Sequence, residues 1–138
     1  MNSQEDDPLF KVGVPSTKKI EQKTSGWLGG YVKTPAMLGG SDNSSYTVYI
    51  LKTQITNPEN PNDVQEYEVQ RRFSDFEKFL AILRQMQGFV IPELPKKRWY
   101  NSSDEVIETR RRELDEWVRT LVRNKELRED STVDYFLK

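Results

Sequence analysis

The chain contains neither cysteine nor histidine. Without cysteine there is no disulfide framework, no thiolate nucleophile and no cysteine-based zinc site. Without histidine the side chain that most often serves as general base or transition-metal ligand near neutral pH is missing. Long apolar runs are absent too. Val48-Tyr49-Ile50-Leu51 is far short of the roughly 20 residues that a membrane-spanning helix needs. The N-terminus, MNSQEDDPLF, carries acidic residues where a secretory signal places basic and apolar ones, so a cytoplasmic setting is expected. A net charge of −1 argues against a broadly basic nucleic-acid binder. These absences point away from an enzyme, with no cofactor and no metal expected.

What is present is a charged sequence of 138 residues, 35% hydrophobic and 31% charged, a length suited to one domain. The first 70 residues lean acidic, whereas Arg71-Arg72, Lys96-Lys97-Arg98 and Arg110-Arg111-Arg112 concentrate positive charge. Residues 1–8 read as a disordered leader and residues 9–138 as the folded domain. A short strand is expected at Phe10–Val14, interrupted by Pro15 and resumed over Lys18–Gln22. Residues 23–45, with five glycines, read as a long loop whose Trp27, Tyr31, Met37 and Leu38 exceed a spacer's needs. Tyr46–Ile55 and Val64–Phe73 are the better strands, and the turn-rich Asn57–Asp63 stretch joins them as a loose hairpin.

The period then changes from two to 3.6. Ser74-Asp75-Phe76-Glu77 has the pattern of a capping box. Phe76, Phe79, Leu80, Leu83 and Met86 follow at helical spacing, with Gly88 placed to end the helix. Phe89–Arg98, holding Pro92 and Pro95, should be extended. Ser102 with Glu105 offers a second cap, and Ile107, Leu114, Trp117, Val118, Leu121 and Val122 draw one apolar stripe. A last short helix is expected at Val133–Leu137. The sum is an α+β fold, a small antiparallel sheet followed by a helical half.

Three features carry chemistry. Arg110 lies three residues after Ile107 and four, seven and eleven before Leu114, Trp117 and Leu121, inside the apolar stripe. An inward arginine is costly unless an anion or acceptor meets it; the bland alternative is a stem that covers the core edge while its head reaches water. Arg71-Arg72-Phe73 ends the third strand; guanidinium groups grip phosphate bidentately, and an aromatic ring can lie flat on a sugar-like ring. Strand parity puts Arg71 and Arg72 on opposite faces without telling which lines a pocket. Ile91-Pro92-Glu93-Leu94-Pro95-Lys96-Lys97 is a stiff segment that suits an SH3 ligand, a rigid linker or a mount presenting Lys97 to an anion. Trp99 and Tyr100 follow, amphipathic aromatics that favour a membrane–water boundary.

Arg-Arg-Phe-Ser-Asp-Phe at 71–76, Ile-Pro-x-x-Pro-x-Lys at 91–97 and Arg-x-x-x-Leu-x-x-Trp at 110–117 together resemble the PX (phox-homology) domain of sorting nexins. The resemblance implies a three-stranded antiparallel sheet packed against a helical subdomain, with a Pro-rich loop between helices. It also implies a non-catalytic module that reads phosphatidylinositol 3-phosphate on endosomal membranes, peripheral to them, in sorting and alongside other sorting or coat proteins. By position, Arg72 matches the residue for the 3-phosphate, Phe73 the aromatic that stacks on the inositol ring, Lys97 the contact for the 1-phosphate, and Arg110 the holder of the 4- and 5-hydroxyls. Arg71 takes a supporting role, and Lys96, Arg98, Trp99 and Tyr100 face the membrane. Phe73 stands where tyrosine is more frequent in the family, and Glu93 brings a negative charge into the loop. The rival expectation is a protein-interaction module of the same fold, acting through the Pro-x-x-Pro segment or the 23–45 loop.

Overall fold

The computed structural model describes residues 6–21, 45–96 and 103–138. Strands β1 (Phe10–Glu21), β2 (Ser45–Asn57) and β3 (Asn60–Arg72) form an antiparallel meander in the order β1-β2-β3. Pro15 does not break β1. The pairing register with β2 shifts between Gly13 and Ser16, and this bulge accommodates a residue without an N–H. The expected loose loop between β2 and β3 is instead a tight turn at Pro58 and Glu59, because Asn57 already pairs with Asn60. The asparagine side chains make this possible: the Asn57 and Asn60 amide oxygens accept from the backbone N–H groups of Glu59 (2.9 Å) and Asn62 (3.2 Å).

One face of the sheet presents Val12, Val14, Tyr49 and Leu51 to four helices: α1 (Phe73–Leu83), α2 (Asp104–Val122), α3 (Lys125–Arg128) and α4 (Ser131–Leu137). Phe76 is the hub of the core. Its ring meets Tyr49, Trp117 and Phe136 edge-on at centroid distances of 6.4, 6.0 and 5.1 Å, while Phe79 stacks on Phe136 at 3.9 Å. Every anchor of the α2 stripe from Leu114 to Val122 is buried, and Ile107 packs at the margin.

Helix boundaries differ from expectation in informative ways. Helix α1 is capped by Arg72, not Ser74, because the Asp75 carboxylate reaches back to accept the Arg72 backbone N–H at 2.7 Å. The helix ends at Leu83, and Gly88, at φ +88°, turns the chain into the Pro-rich segment five residues later. Helix α2 is capped by Ser103, whose hydroxyl accepts from the Val106 N–H at 3.3 Å; Ser102 lies outside the described residues. The single-turn α3, capped by Asn124, was not anticipated. At the other end of the fold, Asp6 and Asp7 pair with Arg123 (2.8 Å) and Arg128 (2.6 Å).

Candidate functional site

The junction of β3 and α1 sends two neighbouring arginines in opposite directions. Arg71 turns toward α4: its Nε donates to the Phe136 carbonyl at 3.0 Å, a terminal nitrogen donates to the Tyr135 carbonyl at 3.3 Å, and its guanidinium sits 5.1 Å from the Phe136 ring centroid. These donors secure α4 to the end of β3. Arg72 faces the other way and is exposed. Its guanidinium lies 4.0 Å above the Tyr46 ring and makes no ion pair among the described residues.

Arg110 comes to the same junction from α2. Its guanidinium covers the Phe73 ring at 4.1 Å from the centroid, and Phe73 is 8% exposed. One terminal nitrogen of Arg110 is buried and has no hydrogen-bond partner among the described residues. The residue as a whole is half-buried. The guanidinium also lies against the Tyr49 hydroxyl. Burial pushes the Tyr49 phenol above its ordinary pKa, and the adjacent Arg110 charge and hydrogen bond pull it back down. Leaving a buried cationic donor unpaired costs about 1–3 kcal/mol or more.

The other two arginines of the triplet are differently employed. Arg111 uses Nε and one terminal nitrogen on Glu108 (2.9 and 2.7 Å) and the other on the Val14 carbonyl (2.7 Å). Its bond to Glu108 raises the arginine's pKa and lowers the carboxylate's. Arg112 is largely exposed, 3.7 Å from Glu108. Seven residues after Arg110, about two helical turns along the same stripe, Trp117 donates its Nε1–H to the Pro92 carbonyl at 2.8 Å. Ile91 and Leu94 pack on the core margin. The Pro-rich segment is thus fastened to the helix face that carries Arg110. Lys96 is exposed at its end, while Lys97, Arg98, Trp99 and Tyr100 lie outside the described residues, as does most of the 23–45 loop.

Arg110 thus meets Phe73 at the start of α1, while Arg72, one residue earlier, stacks on Tyr46 and Arg71 turns to α4. Sequence reasoning passed over Tyr46, which floors Arg72, and Tyr49, whose hydroxyl meets Arg110. The available signal was two tyrosines three apart in β2, a spacing that puts them on opposite faces of the strand. A groove of about 630 Å³ lies elsewhere, between the sheet and α2; its Lys52, Arg111 and Arg119 are paired with Glu68, Glu108 and Asp115, and Lys11 also lines it. Among the described residues no acidic cluster is arranged to hold a metal ion, and no helix is long and apolar enough to cross a membrane.

A model of the PX domain family matches residues 59–138, more than half of the chain. The chain belongs to the PX domain family. Its curated relatives are sorting proteins. Sorting nexin-3 of Eremothecium gossypii is 36% identical over 103 residues, covering 69% of this chain and 62% of that one. Sorting nexin-3 of Yarrowia lipolytica is 45% identical over 67 residues, 47% of this chain and 44% of that one. Vacuolar protein sorting-associated protein vps5 of Schizosaccharomyces pombe is 33% identical over 96 residues, 68% of this chain but 16% of that one. This PX domain thus spans less than two thirds of each of these relatives and groups with the sorting nexins. Among solved structures, a designed CISK-PX domain superimposes with a TM-score of 0.66 at 25% identity, covering 93% of this chain and 98% of that one. The mouse SNX19 PX domain, solved with a bound sulphate ion, gives 0.64 at 16% identity over 94% and 96%, a likeness of fold. The three-stranded antiparallel sheet with its helical subdomain is the architecture expected from the motifs.

Proposed function

We propose that this PX domain reads phosphatidylinositol 3-phosphate and so holds its protein peripherally on endosomal membranes, in sorting and without catalysis. The observation that carries the reading is the Arg110 guanidinium set against Phe73, one of its nitrogens buried and without a hydrogen-bond partner among the described residues, with the exposed Arg72 one residue before Phe73. A phosphorylated inositol supplies what that site lacks, namely hydroxyl and phosphate oxygens. Arg72 is well suited to the 3-phosphate, because its guanidinium is exposed and its plane is steadied by Tyr46. Arg110 takes ring hydroxyls as acceptors. Phe73, in contact with Arg110, is the aromatic assigned to the inositol ring. Lys97 is assigned to the 1-phosphate, on the segment that Trp117 fastens through Pro92. Lys96 and Arg98 add about 1 kcal/mol each near an anionic leaflet, and Trp99 and Tyr100 add apolar contact. Other sorting or coat proteins are the partners expected around such a module.

The alternative, a protein-interaction module acting through Pro92–Pro95, loses support from the packing. The Pro92 carbonyl is taken by Trp117 and Leu94 faces the core margin, so the segment does not present a free polyproline ridge. Liposome sedimentation across the phosphoinositides at two salt concentrations tests the proposal. Selective retention on phosphatidylinositol 3-phosphate at both salts, abolished by Arg72→Ala, is expected. Retention that tracks lipid charge alone and vanishes at high salt would falsify stereospecific reading.

A further inference from the structure

We propose that Arg111 and Asp115 are positioning residues for the headgroup site. Together they clip α2 onto the bulge of β1 and thereby hold the Arg110 guanidinium against Phe73. The functional meaning of this clip rests on the headgroup reading above, although its geometry does not.

The argument begins with backbone accounting. Val14 is wholly buried, and the β1–β2 register skips from Gly13 to Ser16, leaving Val14 and Pro15 out of the ladder. A buried peptide group needs partners, and Pro15 can donate nothing. Helix α2 supplies both partners with side chains. The Asp115 carboxylate accepts the Val14 N–H at 2.7 Å, and Arg111 donates to the Val14 carbonyl at 2.7 Å. Residues four apart share a helix face, so the two side chains grip one strand residue from above and below. Each is braced from behind, Arg111 by Glu108 at 2.7 Å and Asp115 by Arg119 at 3.0 Å. Both are charge-assisted bonds, the stronger kind, and both side chains are only 20% exposed.

Such a two-point grip fixes what apolar packing leaves loose: rotation of the helix about its axis and sliding along the strand. Arg110 sits about 100° round the helix from Arg111. With Arg111 held on Val14, Arg110 is committed to the side where Phe73 and Tyr49 lie. The absence of a side chain at Gly13 permits the close approach. A Cβ built there would stand 2.7 Å from the Asp115 carboxylate oxygen. Glycine in a strand usually weakens it, and here it makes room for the helix carboxylate.

Two variants break the grip from opposite sides without touching Arg72, Phe73 or Arg110. Asp115→Ala removes the acceptor, and Gly13→Ala pushes the carboxylate off its donor. Asp115→Asn keeps an oxygen at the same place and serves as the rescue. Two readouts apply. The first is the Arg110 Nε–H signal in a nitrogen-15 correlation spectrum, displaced by the Phe73 ring current. The second is affinity for soluble inositol 1,3-bisphosphate by titration calorimetry. Asp115→Ala and Gly13→Ala are expected to move the Arg110 signal to an unstacked position and to weaken binding about tenfold, within the range by which remote residues modulate a site. Asp115→Asn should match the parent in both. If Arg110 stays stacked and affinity is unchanged in the two breaking variants, or if Asp115→Asn fails as badly as Asp115→Ala, the clip is refuted. A breaking variant that does not fold yields to the other, which attacks the same contact. If the parent itself binds no headgroup yet its Arg110 signal moves as described, the clip stands and the lipid reading falls.

Discussion

Replacing Arg110 with methionine separates function from stability in a way that few site substitutions do. The unbranched thioether retains most of the buried stem and drops the guanidinium, which has a nitrogen without a partner. Relief of that unpaired donor is worth about 1–3 kcal/mol. Against it stand the contact over Phe73 at 4.1 Å, about 0.5–2 kcal/mol, and the contact with the Tyr49 hydroxyl, about 1 kcal/mol. The opposing contributions nearly cancel, so Arg110→Met should change unfolding free energy by no more than about 1 kcal/mol in either direction. Headgroup binding should fall by roughly 2 kcal/mol or more, about thirtyfold, because a charge-assisted bond to the ligand disappears. Urea denaturation gives the first quantity, and calorimetric titration with short-chain phosphatidylinositol 3-phosphate gives the second. A loss of stability above about 2 kcal/mol with affinity intact would mean that Arg110 is a structural residue, and the reasoning about its unpaired nitrogen would be wrong.

Further outcomes follow from the same contacts. Arg71→Ala should lower stability by about 1–2 kcal/mol through loss of its bonds to the Phe136 and Tyr135 carbonyls, while lipid selectivity persists; an unshifted urea midpoint refutes the anchoring role. Trp117→Phe leaves the Pro92 carbonyl without its donor, so tryptic cleavage after Lys96 should accelerate and stability should drop by about 1 kcal/mol or more; an unchanged cleavage rate would show that the Pro-rich segment does not depend on that bond. Tyr49 has a folded pKa above its ordinary value, so the folded state favours the protonated phenol. Its contribution is fully present below about pH 10 and is lost as pH rises through the folded pKa. Compared at pH 8 and pH 11, the parent should therefore lose more stability than Tyr49→Phe, and parallel losses would contradict the burial argument.

Much of the architecture was legible because it rests on periodicity. The alternation through Tyr67 and Val69 and the stripe from Ile107 to Val122 each identify an element by the face it turns to the core, although Phe73, expected to end the strand, opens α1. What stayed hidden depends on contacts between distant segments. Asn57–Asp63 consists of turn-forming residues throughout, so sequence alone cannot choose the tight turn, which is decided by the pairing of Asn57 with Asn60. An arginine carries no capping signal, so Arg72 as the start of α1 is visible only once the Asp75 carboxylate is seen to reach its N–H. Parity separates Arg71 from Arg72, but only the packing of α4 shows that the former is already engaged. Arg110 stood out against its stripe, yet nothing in the pattern revealed that its neighbour would be Phe73.

The stacking of Phe136 on Phe79 and its edge contact with Phe76 have a consequence during synthesis. Translation delivers these rings in the order Phe76, Phe79, Trp117, Phe136, at about 5–20 residues per second. Until α4 has left the ribosome the nascent chain carries an open aromatic cluster, a surface that invites chaperones or aggregation. Whatever follows Lys138, this module cannot close from its N-terminal end forward. Its last seven-residue helix is the piece that seals it.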